Sequence, residues 1–374
     1  MAGLYLHIPF CKKACHYCNF HFSTNQKHKQ DFVTALCKEL QLRAQELKSA
    51  PLESIYFGGG TPSLLSVEHL RIIFKTIESH YNIQPHAEIT LEANPDDLTT
   101  SKIKLLSTTK INRLSIGIQS FFQGDLTAMN RAHSAQEAKD CISSAQDYFD
   151  NVTIDLLYGM PQMSESRWRD NLNIAFDLGV KHLSCYALTV EPKTALEHFI
   201  KTAQHPPLDD AQAASHFQIL VDETYKAGFI QYEVCSFGKP GYFSNHNTSY
   251  WLGEPYLGVG PSAHSFDGVK RSWNVSNNKL YINALEQEKR PFTQEILTKK
   301  NRFNEYLMTG LRTMWGVSLQ KIKDDFGTVF ITKLHDNAQK YLDNKTLIID
   351  NDRLKITAKG QFLCDGIASD LFIV

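Results

Sequence analysis

The order of apolar and polar runs predicts an α/β protein: a partial (β/α)6 TIM-like barrel, open on one side, with a loop-rich extension and a C-terminal winged-helix-like α+β module. Short apolar runs of strand length alternate with segments of helical period six times in the first half of the chain. Six units are too few to close the eight-stranded barrel. Each proposed strand also ends in something costly or unusual, and barrels of this kind collect function at the C-terminal ends of their strands.

The first strand, "LYLHI", runs into "FCKKACHYCNF", which carries Cys11, Cys15 and Cys18. The second, "SIYFGG", ends in the glycine run Gly58 to Pro62. "SVEHLRIIFKTIESHY" follows with Ser66 as N-cap and Leu70, Ile73, Phe74, Ile77 and Tyr81 on one face, the pattern of an amphipathic helix. The third strand, "EITLEA", carries Glu92 inside an apolar run, and the fourth, "RLSIGIQ", ends at Gln119. Arg131 lies in the "MNRAHS" loop, and a capping box from Ser134 to Glu137 opens a helix striped by Ala138, Cys141, Ile142 and Ala145. The fifth strand, "VTIDLLYG", contains Asp155, and its helix closes at Gly179 where a C-cap glycine is favoured. The sixth, "HLSCYAL", reaches Tyr186 and Ala187.

Two prolines in "KTAQHPPLDD" break the pattern before a helix over 211–227. The stretch from "IQYEV" to "AHSF" is rich in glycine, proline and aromatics, has no sustained period, and reads as an irregular extension folding back on the barrel. From about Asn301 the texture becomes helices, one of them near Lys333 to Leu342, with a two-stranded wing. The expected units are therefore 1–200, 201–300 and 301–374. No basic recognition helix stands out in the last, so it is expected to pack rather than to bind DNA.

Composition narrows the function. The chain has 374 residues, 42% hydrophobic and 21% charged, with a formal net charge of -1, which carries no electrostatic footprint for nucleic acid. No run approaches the roughly 18 apolar residues that span a bilayer, and "MAGLYLHIPF" lacks the charged start and long apolar core of a signal peptide. Eight cysteines, three of them clustered, predict a reducing, cytoplasmic setting and a metal at the cluster. The other five, Cys37, Cys141, Cys185, Cys235 and Cys364, read as small buried side chains.

Three thiols leave a metal site one ligand short. A ligand arrives from elsewhere, with His16 or His21 completing a Cys3His zinc site, or one position is left open. Glu92 and Asp155, buried in strands, require a ligand or a basic partner at the rim, and Arg131 is a candidate partner. The glycines after the second strand allow backbone groups to approach a small molecule closely.

The spacing C-x3-C-x2-C after a first strand resembles the signature of radical S-adenosylmethionine (radical SAM) proteins. That resemblance implies three thiolates on three irons of a 4Fe-4S cluster. The fourth iron is left for the amino and carboxylate groups of S-adenosylmethionine, which an electron from the cluster can cleave to an adenosyl radical. "LYLHIPFCKKACHYCNF", "IYFGGGTPSLL", "LEANPDDL", "RLSIGIQSF" and "IDLLYGMP" together resemble the oxygen-independent coproporphyrinogen III oxidase family over most of the chain. Carried over by position, Tyr5, Tyr17, Gly59 and Glu92 match contacts to the cluster-bound S-adenosylmethionine. Gly60, Thr61, Gln119, Arg131, Asp155 and Ala187 match contacts to a second one in the oxidase.

Two departures separate the chain from the oxidase. Phe20 stands where the oxidase has a further cysteine, and only ten residues precede Cys11 in place of a long leading segment. The pattern with Phe is similar to the heme chaperone branch of the family. "HNTSYW", His246 to Trp251, is similar to an element of that branch associated with heme. Imidazole is a common axial ligand to heme iron, and Tyr250 and Trp251 offer flat apolar surface to a porphyrin; His264 in "GPSAHSF" is a second candidate ligand. This resemblance implies heme as cargo and acceptor hemoproteins, respiratory ones among them, as partners. It also implies a homodimer, at most peripheral membrane association, and no catalytic residue for porphyrin decarboxylation. The rival expectation is the oxidase reaction, coproporphyrinogen III to protoporphyrinogen IX.

Overall fold

The computed structural model describes residues 2–47 and 50–374. Six parallel strands follow in sequence order: β1 (Ala2–Ile8), β2 (Leu52–Gly59), β3 (Ile83–Ala93), β4 (Arg113–Gln119), β5 (Asn151–Tyr158) and β6 (His182–Ala187). The helices between them include α1 (Lys29–Leu42), α2 (Val67–His80), α3 (Thr100–Leu106), α4 (Gln123–Ala128), α5 (Ala135–Gln146) and α6 (Glu165–Asp177). The expected helix starts are present. The Ser66 hydroxyl accepts from the His69 N–H, and Ser134 and Glu137 close their capping box. Gly179 ends the turn after α6 with φ +69, a conformation that costs glycine nothing. Leu70, Ile73, Phe74 and Ile77 of α2 are buried against the sheet, as the helical stripe predicts.

After α7 (Ala195–Lys201) and α8 (Asp210–Lys226), the extension is more regular than its sequence texture suggests. β7 (Ile230–Glu233) and β8 (Ser236–Gly238) add antiparallel to β6. Helix α9 (Asn245–Trp251) leads to β9 (Tyr256–Val259), which pairs parallel with β1 on the other side of the sheet. β10 (His264–Phe266), β11 (Lys270–Asn274) and, after α10 (Asn278–Glu286), β12 (Phe292–Ile296) extend that side as an antiparallel meander. The twelve strands run in the order β12-β11-β10-β9-β1-β2-β3-β4-β5-β6-β8-β7. Strands of three to five residues complete too few alternations for a period of two to be legible in sequence.

A buried charge network fastens this extension to the barrel. Glu39 of α1 is 0% exposed. Its carboxylate accepts from Arg43 at 2.9 Å, Asn274 Nδ2 at 2.7 Å, the Tyr281 hydroxyl at 2.7 Å and the Gly260 N–H at 2.8 Å. Such burial is tolerated because the lone pairs are met. A second apolar core, from Phe303 to Ile373, is built by α11 (Lys299–Leu311), α12 (Leu319–Phe326), α13 (Thr328–Asp343) and α14 (Cys364–Asp370). A three-stranded sheet completes it: β13 (Val317–Ser318), β14 (Leu347–Asp350) and β15 (Arg353–Ile356). Asn351 and Asp352, at φ 46 and 67, make the two-residue turn of the expected wing. No helix among the described residues is long and apolar enough to cross a membrane.

Substituting Glu39→Ala takes the acceptor from the buried Tyr281 hydroxyl, the Gly260 N–H and Asn274 Nδ2, and leaves Arg43 with Glu46 as its carboxylate partner. Chemical denaturation is expected to show a loss of about 3–5 kcal/mol. A loss below about 1 kcal/mol would mean that the network contributes no more than a surface pair does.

Candidate functional site

The C-terminal rim of the strands surrounds a pocket of about 510 Å³, lined by Cys11, Cys15 and Cys18 together with residues from every barrel strand end after the first. Its size suits a cofactor rather than a macromolecule. The cysteine loop is held down at its flanks. The Cys11 N–H donates to the Ser23 carbonyl at 3.0 Å, and the His16 carbonyl accepts from the Leu196 N–H at 2.8 Å. The Thr61 hydroxyl donates to Cys11 Sγ at 3.5 Å and Arg131 Nη1 to Cys15 Sγ at 3.4 Å. Burial pushes the Cys11 thiol up to about 11 and raises Cys18 as well, so these thiols stay protonated until a cation takes the proton's place.

His16 and His21, the fourth-ligand candidates of the zinc alternative, each have one ring nitrogen bonded away from the cysteines. His16 Nδ1 meets the Ala128 carbonyl at 2.9 Å and its ring packs edge-on against Phe199. His21 Nε2 meets Asn278 Oδ1 at 2.7 Å. The residues that remain fit a larger group with a free position. A Cβ on Gly60 would meet the Phe10 carbonyl at 2.7 Å and the Ile8 carbonyl at 2.9 Å, so only glycine lets β2 reach the cysteine loop this closely. Gly59, with φ +106, turns its N–H toward Glu92 Oε2 at 3.2 Å.

Glu92 is the pocket's buried carboxylate. The Tyr56 hydroxyl donates to its Oε1 at 2.8 Å. Burial pushes its pKa up to about 7, against the hydrogen bond from Tyr56. Asp155 across the barrel is pushed up to about 6 by burial, against the nearby Arg113 charge. Neither is paired with Arg131, which corrects the expectation from sequence. Arg131 Nη2 donates instead to Asn94 Oδ1 and to the Gly117 carbonyl, both at 2.6 Å, and its Nε has no partner. The loop after α4 brings the guanidinium over the cysteine loop, where Asp155 feels its charge without bonding to it.

Of the residues matched to S-adenosylmethionine, Tyr17, Gly59, Gly60, Thr61, Glu92, Gln119, Arg131, Asp155 and Ala187 line this pocket. Tyr5 stands behind the wall, its hydroxyl donating to His7 Nδ1 at 3.2 Å. Gln119 takes φ 68 where β4 and β5 slip register, and that left-handed backbone aims its amide inward. Phe20 is 69% exposed on the rim. Two residues escaped sequence reasoning: Asn94, which also donates to the Thr61 hydroxyl at 3.1 Å, and Tyr56. Asn94 was legible by place, directly after β3.

The heme candidates lie apart from the pocket. His246 is 1% exposed, with Nδ1 on the Ser54 hydroxyl at 2.7 Å and Nε2 on the Tyr250 hydroxyl at 2.8 Å. Both ring nitrogens are engaged inside the barrel, so this geometry offers none to iron, against the candidate role His246 has from sequence. Trp251 lies under the Arg312 guanidinium at 5.1 Å, joining α9 to the C-terminal core. His264 is exposed on β10, its ring 5.8 Å from that of Trp273.

Residues 5–175 match the model of the radical SAM superfamily, and residues 297–363 match the HemN C-terminal domain. The chain is 32% identical to the heme chaperone HemW of Bacillus subtilis, with 91% of this chain and 92% of that protein aligned. It is 35% identical to the mitochondrial radical S-adenosyl methionine domain-containing protein 1 of Bos taurus, over 85% of this chain and 75% of that one. Coproporphyrinogen III oxidase (HemN) from Escherichia coli, a radical SAM enzyme, shares the fold with a TM-score of 0.87 at 22% identity, over 99% of this chain and 90% of that one.

A methyl group on Gly60 has only backbone to push against. Gly60→Ala is expected to cost about 1–3 kcal/mol and to speed reaction of the Cys11 thiol with a chromogenic disulfide. Unchanged stability and thiol reactivity would show that the close approach of strand and loop is not needed.

Proposed function

We propose, on the premise that the chain belongs to the heme chaperone HemW family of the radical SAM superfamily, that it binds heme and delivers it to acceptor hemoproteins. Membership in the superfamily implies a 4Fe-4S cluster and S-adenosylmethionine. Cys11, Cys15 and Cys18 are the cluster ligands in this proposal, and the observation that carries it is their convergence on one pocket with the glycine run and Glu92. When bound, the cluster supplies an electron to the sulfonium of S-adenosylmethionine. The chain's own residues do the rest: Tyr17, Gly59, Gly60 and Thr61 shape the wall, and Glu92 presents a carboxylate to a cationic ligand. Tyr5 backs that wall, while Gln119, Arg131, Asp155 and Ala187 orient ligand on the far side.

Heme is assigned to the face of the sheet beyond β1. His264 pairs with Trp273, and Phe266 with Arg271, so all four side chains emerge on one side. His264 is the proposed iron ligand and Trp273 the stacking surface; the Arg271 guanidinium beside them is paired with Glu305 at 2.6 Å. Tyr250 packs on Tyr256 at 4.4 Å along the same stretch. His246 backs this face only through Tyr250, without touching iron, and Trp251 packs on Arg312 instead. Respiratory hemoproteins as acceptors, a homodimer, a cytoplasmic location and peripheral membrane association belong to the same proposal.

The retention of Gln119, Arg131 and Asp155 on the pocket wall favours a second reading, oxidative decarboxylation of coproporphyrinogen III. The two separate in one assay on anaerobically reconstituted protein. Added heme is expected to give a shifted Soret band, with no carbon dioxide released from coproporphyrinogen III; release of carbon dioxide would overturn the chaperone reading. His264→Ala is expected to abolish the Soret shift while His246→Ala keeps it, and the reverse result would return the ligand to His246.

A further inference from the structure

His246 and Tyr250 are hydrogen-bonded to one another in the barrel interior, where the ring of His246 has no nitrogen free for iron. The helix α9 that carries them enters the barrel from the end opposite the cysteine loop. Glu88 of β3 holds its first turn, accepting from the Asn245 N–H at 2.9 Å and the His246 N–H at 3.0 Å. The His246 ring then lies against the Tyr56 ring, centroids 4.9 Å apart and planes within 21°. Tyr5 flanks both, at 6.2 Å from Tyr56 and 6.4 Å from His246. Hydrogen bonds to Ser54 and Tyr250 fix the His246 ring on both nitrogens. The far end of the stack is the Tyr56 hydroxyl, 2.8 Å from Glu92 Oε1.

The geometry points to Tyr56 as a positioning residue of the S-adenosylmethionine site, holding Glu92 in place and ionised, with His246 and Tyr250 as the props that hold Tyr56. This rests on the reading that Glu92 meets S-adenosylmethionine. A carboxylate serves a cationic ligand only when charged, and full burial opposes charge. Glu92 stands at about 7, the balance of several groups. Burial and the Asp155 carboxylate push it up; the Tyr56 hydroxyl, the Gly59 N–H and the Arg113 charge pull it down. Tyr5, Tyr250 and Cys18 face it as well and feel its charge. Tyr56 supplies the largest of the downward pulls. The His246 ring stays neutral, because burial lowers it to about 3, so the stack adds no charge that titrates near neutral pH.

The test separates the positioning role from the ligand contact. Glu92→Gln reports whether Glu92 meets S-adenosylmethionine, through binding to the anaerobically reconstituted protein. Tyr56→Phe, which keeps ring and volume, reports the positioning role. It is expected to weaken binding about tenfold at neutral pH, the weight of one hydrogen bond to a charged group, and to recover as pH rises. Without cofactor, infrared difference spectra of the Glu92 carboxyl, assigned by its loss in Glu92→Gln, are expected to show its titration moved upward in Tyr56→Phe. His246→Ala is expected to move it the same way, with heme binding retained. Unchanged affinity in Glu92→Gln would overturn the ligand contact. Weakened affinity there, with Tyr56→Phe titrating as the unmodified protein does, would overturn the positioning role.

Discussion

A carboxylate carried into the interior of a barrel, with no cation bonded to it, is the constraint on which the site's organisation depends. Desolvation works against its charge, and the chain answers with two donors from one strand: the Tyr56 hydroxyl from the middle of β2 and the Gly59 N–H from its end. Those donors are themselves held. Gly59 and Gly60 are fixed by the close approach of β2 to the cysteine loop, and Tyr56 is fixed by the rings beneath it. The metal-facing and ligand-facing halves of the pocket thus share one strand.

The same economy appears at the periphery. Glu39 and Glu88 are buried carboxylates, and each fastens a segment of the extension to the barrel. Glu39 ties β9 to β11 through Gly260 and Asn274, and Glu88 caps the first turn of α9. The extension is therefore structural framework for the pocket as well as a surface. Trp251 and Arg312 carry the connection on to the C-terminal core. The α9 helix touches three parts of the molecule, which explains why its sequence is dense in hydrogen-bonding and aromatic residues.

Much of this was legible in the chain. The three cysteines are close in sequence, so their convergence needed only a loop. Gly59, Gly60, Glu92, Gln119 and Asp155 follow from strand ends, because a parallel barrel places all its strand ends on one rim. What was not legible depended on contacts between distant segments. Arg131 was matched with carboxylates on charge, but its reach is set by the loop after α4, and it found Asn94 and a backbone carbonyl. His246 is a candidate iron ligand by its motif, yet the Glu88 cap and the ring of Tyr56 draw it inside. The short strands of the extension acquire their state from the sheet edges they join, which local periodicity does not record.

The central claim is that three thiols hold a cluster with one iron left free for S-adenosylmethionine. The direct measurement is electron paramagnetic resonance of the reduced, anaerobically reconstituted protein, with iron and acid-labile sulfide quantified on the same sample. A cubane signal that changes its principal values when S-adenosylmethionine is added is the predicted result. A spectroscopically silent protein loaded with zinc, or a cluster signal indifferent to S-adenosylmethionine, would contradict it.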